Sequence, residues 1–171
     1  MGESKLMELI FLVDEDFVNY KKPSMFIGMP HCSFKCDHEF GTTICQNWPL
    51  RNEPLVSIGA WDLINRYKSN PITEAIVFGG LEPFDSVNDL STFITFFRYD
   101  YNDDIVIYTG YTEEEVKAKF DWIYEYNNII IKYGRYKPDE EPHYDEVLGV
   151  NLASDNQYAI KYNEVDYETS N

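Results

Sequence analysis

Basic residues are scarce in this chain of 171: 14 Lys and Arg stand against 30 Asp and Glu, a formal charge of −16. A field of that sign repels phosphate backbones and anionic membranes, so neither nucleic acid nor a lipid surface is expected as a partner. Solubility is the plain alternative meaning of the acidity. Long apolar runs are lacking too, all falling far short of the about 20 residues that span a bilayer. The apolar stretch Leu9–Val13 runs straight into acidic residues and shows no small-residue cleavage site. It reads as a strand and not as a signal peptide, so the cytoplasm is the expected compartment. Repeats, low-complexity tracts and Gly/Ser linkers are missing, so a single domain over 1–171 is expected. The acidic end, 163–171, has no apolar period and is expected to fray.

What is present is a globular composition. Apolar residues make up 44%, charged residues 26% and aromatics 16%, enough to fill a core that buries roughly 68–70% of the unfolded surface. Short apolar runs bounded by charge, Gly or Pro mark strands at Glu8–Val13, Ser24–Met29, Ala75–Phe78, Asp104–Tyr108, Asn128–Lys132 and Tyr158–Lys161. Helical spacing marks Ser57–Tyr67, Asp85–Phe97 and Thr112–Tyr126, the last opened by Thr112 and Glu115 as a capping box. Strands alternating with helices predict βαβ units and a parallel sheet. Five or six short strands are too few for a full eightfold barrel. In such folds chemistry sits at the C-terminal strand ends. The cysteines, Gly79-Gly80, Thr109-Gly110 and Gly134 all follow strands, so they are expected along one edge.

Cysteine is rare, and all three copies, Cys32, Cys36 and Cys45, fall in the loop of about 30–50. Without a secretion signal they do not read as a disulfide scaffold. Thiolates bind iron or zinc. Three thiolates on a four-iron cubane leave one iron open to another ligand, whereas structural zinc takes four ligands, with His31 or His38 available as the fourth. An iron–sulfur cluster, a zinc site and cysteines without metal remain the three readings of the spacing itself.

The run Met29-Pro30-His31-Cys32-Ser33-Phe34-Lys35-Cys36, followed by Gly79-Gly80-Leu81-Glu82-Pro83, resembles the radical S-adenosylmethionine enzymes. More narrowly, the chain is similar to the activating proteins of anaerobic ribonucleotide reductase. Tyr108-Thr109-Gly110-Tyr111, Gly134-Arg135-Tyr136 and the Ser154–Gln157 segment extend that likeness over about residues 24 to 160. There are departures. The family spacing C-x3-C-x2-C would put its third cysteine at Glu39; Cys45 comes later, as if 37–44 were inserted. Leu81 is an extra residue in the glycine motif, and Tyr158 stands where the family has Arg.

The resemblance implies an α/β fold, a small open partial βα barrel. It implies a 4Fe–4S cluster held by Cys32, Cys36 and Cys45, with S-adenosylmethionine on the open iron. One-electron cleavage of that molecule would give methionine and a 5′-deoxyadenosyl radical, which takes a hydrogen atom from a glycine Cα of a partner. The implied partner is a glycyl radical enzyme such as the reductase's catalytic chain, with flavodoxin or ferredoxin as electron donor. Gly79 and Gly80 would let backbone carbonyls approach the ligand's ammonium, against the alternative of a plain βα turn. Glu82 would add a charged acceptor. Phe34 would shield the cluster or simply pack. Tyr108 and Thr109 would line the adenosine, with Tyr108 equally suited to the core. Asn156 and Gln157 would hold polar groups of the ligand or support their loop. Lys35 and Arg51 read as surface charges, and His31 as a loop residue. Two other functions stay open: a radical enzyme acting on a small molecule or peptide, and a non-catalytic metal-binding module.

Overall fold

The computed structural model of the chain describes residues 6–32, 50 and 52–165. Its frame is an open six-stranded sheet. Strands β3 (Ser24–Met29), β5 (Ala75–Gly80), β6 (Asp104–Tyr108) and β7 (Ile129–Tyr133) run parallel in that order. An antiparallel strand flanks each side: β2 (Phe11–Asp16) on β3 and β10 (Tyr158–Tyr162) on β7. The architecture is mixed α/β with the sheet as its core, and no closed barrel forms among the described residues.

Both faces of the central strands are covered, which is why they read as nearly unbroken apolar runs and not as an alternation. Ile76, Phe78, Ile105, Ile107, Ile129 and Ile131 pack against one layer of helices. These are α1 (Ala60–Ser69), α2 (Val87–Asp100) and the short α3 (Glu113–Lys119). Ala75, Val77, Val106 and Ile130 face the other way, toward Tyr20, Leu148 and Leu152. Tyr20 belongs to the connection between β2 and β3. Leu148 and Leu152 belong to a small hairpin of β8 (His143–Asp145) and β9 (Val150–Leu152).

Several boundaries differ from the sequence expectation. The strand expected at Glu8–Val13 is two strands. β1 (Leu6–Leu9) pairs with β4 (Val56–Gly59) in a separate ribbon, and the chain then changes partner at Ile10, whose N–H reaches the Gly28 carbonyl. That ribbon claims residues 56–59, so the helix expected from Ser57 starts only at Ala60. The helix expected from Asp85 opens as a 3-10 turn over Pro83–Ser86, because the Glu82 carboxylate takes the Phe84 N–H. The Thr112–Glu115 capping box forms as expected, with bonds of 2.9 and 3.1 Å. Its helix nevertheless stops at Lys119, and Asp121–Glu125 continues as 3-10. This break seats Phe120 on Phe84, with ring centres 4.7 Å apart, and brings Trp122 to the same ring in an edge-to-face contact at 6.4 Å. Aromatic burial there outweighs helix continuity.

At the far end, Asn163 donates to the carbonyls of Tyr124 and Tyr126, and the Val165 N–H reaches Asn128 Oδ1. The rest of the segment expected to fray lies outside the described residues. No helix among the described residues is long and apolar enough to cross a membrane.

Candidate functional site

The C-terminal ends of β3, β5, β6 and β7 meet around a cleft of about 450 Å³, within the range of small-molecule sites. Cys32, Gly79, Gly80, Glu82, Tyr108, Thr109, Gly110 and Gly134 all border it. The convergence expected from strand order is therefore present for every one of these that the structure describes. Phe34, Cys36 and Cys45, like Lys35, His38 and Arg51, lie outside the described residues.

One transverse row of the sheet makes the floor. Phe11 lies opposite Gly28, Gly28 opposite Gly79, and Tyr108 opposite Lys132. A Cβ on Gly79 would come within 2.8 Å of the Phe26 ring. Gly80 turns the chain out of β5 at φ +82°, and a Cβ there would meet Gly28 Cα and the Met29 nitrogen at 3.0 Å. Only glycine combines that backbone angle with so close an approach. The turn then runs beside the segment that presents Cys32: the Leu81 N–H reaches the Met29 carbonyl at 3.0 Å and the Glu82 N–H the His31 carbonyl at 2.7 Å. Cys32 itself is half-buried on the cleft wall.

Glu82 is buried, and its carboxylate is committed to protein donors. Oε2 accepts from the Phe84 N–H at 3.1 Å and the Thr109 hydroxyl at 2.8 Å; Oε1 accepts from the Gly110 N–H at 2.8 Å. Burial raises its carboxyl to about 7; those three donors oppose the rise, and the neighbouring charge of Asp85 adds to it. Tyr108 faces the cleft and donates its hydroxyl to the Asn19 carbonyl. Burial, with the charges of Asp16 and Asp145, pushes its phenol up.

Asn156 and Gln157 act on the loop. Asn156 does not border the cleft; its amide donates to the Arg135 carbonyl at 2.8 Å and its Oδ1 accepts from Ser154 Oγ at 2.6 Å. Gln157 does border it, and spans from the Gly134 carbonyl (3.2 Å) to the Ser154 N–H (3.1 Å). Together they brace the turn at Gly134, which sits at φ +105°. Of the two roles expected for this pair, their bonds within the protein serve loop support.

Sequence reasoning missed two cations on the same wall. Lys132 is buried, donates to the Gly134 carbonyl at 3.0 Å, and lies 6.0 Å from the centre of the Tyr108 ring. Arg135 grips the Glu115 carboxylate through Nη2 at 2.8 and 2.9 Å. A lysine directly after the apolar run Ile129–Ile131, within the same strand, was the available signal, since a buried lysine needs polar company.

The donor chemistry fits an iron–sulfur group. Cys32 stands on the cleft wall, and two more cysteines follow within the loop of about 30–50. Thiolates are the protein ligands that such clusters take. Among the described residues, no three His, Cys, Asp or Glu side chains gather as a separate metal site. A family model described as a 4Fe-4S single cluster domain matches residues 21–158. No curated protein and no solved structure matches the chain. The family match spans β3 to the start of β10 and so takes in Cys32, both of the later cysteines and every strand end around the cleft: the chain belongs to the 4Fe-4S single cluster domain family.

Proposed function

We propose that this iron–sulfur protein is a radical S-adenosylmethionine enzyme of the glycyl-radical activating type, with the open partial-barrel fold of that superfamily. The observation that carries the proposal is the meeting of Cys32, Gly79-Gly80 and Thr109-Gly110 around one cleft of about 450 Å³. Cys32, Cys36 and Cys45 would hold a 4Fe–4S cluster. The chemistry such a cluster would supply, when bound and reduced, is one electron for cleavage of the sulfonium C–S bond of S-adenosylmethionine to methionine and a 5′-deoxyadenosyl radical.

The chain's own residues bind and orient. The bare backbone at Gly79 and Gly80 admits the ligand's ammonium close to main-chain carbonyls. Tyr108 and Thr109 offer an aromatic face and a polar edge beside it. Lys132 and Arg135 place positive charge on the cleft wall of an otherwise acidic protein, opposite in sign to the ligand's carboxylate. Phe34, two positions after Cys32 in the sequence, would shield the cluster from water. The partner is a glycyl radical enzyme such as the catalytic chain of anaerobic ribonucleotide reductase, served in the cytoplasm by flavodoxin or ferredoxin.

The test is anaerobic reconstitution with iron and sulfide, followed by reductant and S-adenosylmethionine. Formation of 5′-deoxyadenosine is expected. An intact cluster that yields none overturns the proposal. A glycyl radical signal on adding the reductase chain then separates the activating enzyme from a radical enzyme with a small-molecule substrate.

A further inference from the structure

Glu82 touches the ends of three neighbouring strands. Its backbone N–H holds the His31 carbonyl, one residue before Cys32. Its carboxylate holds Thr109 and Gly110 beyond β6, and Phe84 beyond β5. The network continues outward. The Thr109 hydroxyl accepts the Tyr111 N–H at 3.0 Å, the Tyr111 hydroxyl donates to Asp85 at 2.6 Å, and the Tyr111 carbonyl takes the Gly134 N–H at 3.0 Å. All four parallel strands thus end in one connected set of bonds centred on a single buried carboxylate.

A plain βα turn does not need this arrangement. Burying a carboxylate is costly, and a well-packed apolar residue would close the turn at lower free energy. We propose that Glu82 is a positioning residue. Its carboxylate sets the spacing between the Cys32 segment and the Thr109–Gly110 rim, and that spacing governs how tightly S-adenosylmethionine is held against the cluster. The proposal rests on the functional reading above and deepens it: Glu82 acts through Gly110 and Thr109 and does not meet the ligand itself.

Substitution separates these roles. A carboxylate only accepts hydrogen bonds, whereas a glutamine amide turns two N–H groups toward the donors already there. Glu82→Gln therefore keeps the volume and loses at least one arm, while Glu82→Asp keeps the charge and loses reach. Thr109→Val removes one arm from the other side, and because Thr109 also borders the ligand cleft, its Gly110 exchange without cluster is the independent readout should either change at Glu82 impair folding. Each full-length chain is measured for iron and sulfide after reconstitution, for amide hydrogen exchange at Gly110 without cluster, and for S-adenosylmethionine affinity by calorimetry on the oxidised, reconstituted protein.

The expected result is unchanged iron, exchange at Gly110 faster by about tenfold, and affinity weaker by about tenfold in both Glu82 variants, equivalent to about 1.4 kcal/mol. Thr109→Val should speed Gly110 exchange less and in the same direction; unchanged exchange there would overturn the proposal. Weaker affinity with unchanged Gly110 exchange would make Glu82 a direct ligand and overturn the proposal. Faster exchange with unchanged affinity would leave it a purely structural residue and overturn it equally. A wild-type chain that binds no S-adenosylmethionine overturns the functional reading instead, and does so before any substitution is made.

Discussion

The Tyr20 hydroxyl, in the connection between β2 and β3, donates to the buried Asp104 Oδ2 at 2.7 Å across 84 positions of sequence. Lys22 at 2.9 Å and Lys161 at 3.2 Å complete the shell around that carboxylate. Burial alone would raise the Asp104 carboxyl; the Tyr20 hydroxyl and the two ammonium groups outweigh it and hold it below the ordinary carboxylate range. Tyr20→Phe should therefore cost about 1–3 kcal/mol, the penalty of a buried acceptor losing its partner. Urea denaturation of the cluster-free chain measures it. Because the depressed carboxyl stabilises the fold above its unfolded pKa, this contribution should fade as pH falls through the folded value, and the gap between wild type and Tyr20→Phe should narrow in acid.

Glu82 has the opposite sign. Its carboxyl lies at about 7 in the fold against 4.5 ordinarily, so the folded chain binds that proton more tightly than the unfolded one. The stabilising contribution is whole below the unfolded value and is lost as pH rises through about 7. Wild type should lose stability relative to Glu82→Gln over that window, by at most about 1.4 kcal/mol per pH unit. Denaturant midpoints of the two chains at pH 5, 6, 7 and 8 test this; parallel curves would refute it.

Gly80→Ala places a methyl group 3.0 Å from backbone atoms of Gly28 and Met29 at a φ of +82°. Strain of this kind costs about 1–3 kcal/mol, and here neither neighbour is a side chain that can swing away. The variant should be destabilised by that amount or more. It should also loosen the tie from Leu81 to Met29, seen as faster amide exchange at Leu81.

Cys45→Ala should abolish cluster assembly, while His38→Ala should leave iron and sulfide content unchanged. The measurement is iron and sulfide per chain after anaerobic reconstitution. Retained iron in the first variant and lost iron in the second would replace Cys45 by His38 as ligand.

Much of the site was legible from local sequence because it is built at strand ends. Gly79-Gly80, Thr109-Gly110 and Gly134 each close an apolar run, and parallel strands send all their ends to one side. The parallel core, β3-β5-β6-β7, follows from the same alternation. The outer strands β2 and β10 were marked as strands by Glu8–Val13 and Tyr158–Lys161, but nothing in those runs showed that they pair antiparallel; β8 and β9 left no mark, since three residues carry too short a period to register. Lys132 and Arg135 were missed because a charge reads as surface until burial is known. The roles of Asn156 and Gln157 were half legible: polar residues near a glycine turn serve a ligand or the turn, and the structure shows their bonds to the turn.

Sequence alone determined the acidity, the cysteine trio, the glycine-ended strands and the Thr112 capping box, because each depends on residues near one another in the chain. Tertiary structure alone decided where β1 parts from β2, why the helix after Thr112 stops at Lys119, and which donors meet Glu82. Those outcomes depend on competition between partners distant in sequence: β4 against β3 for the N-terminal strands, Phe84 against helix continuation for Phe120. Such competition is settled by which surfaces and polar groups can be buried together, and no local pattern records it.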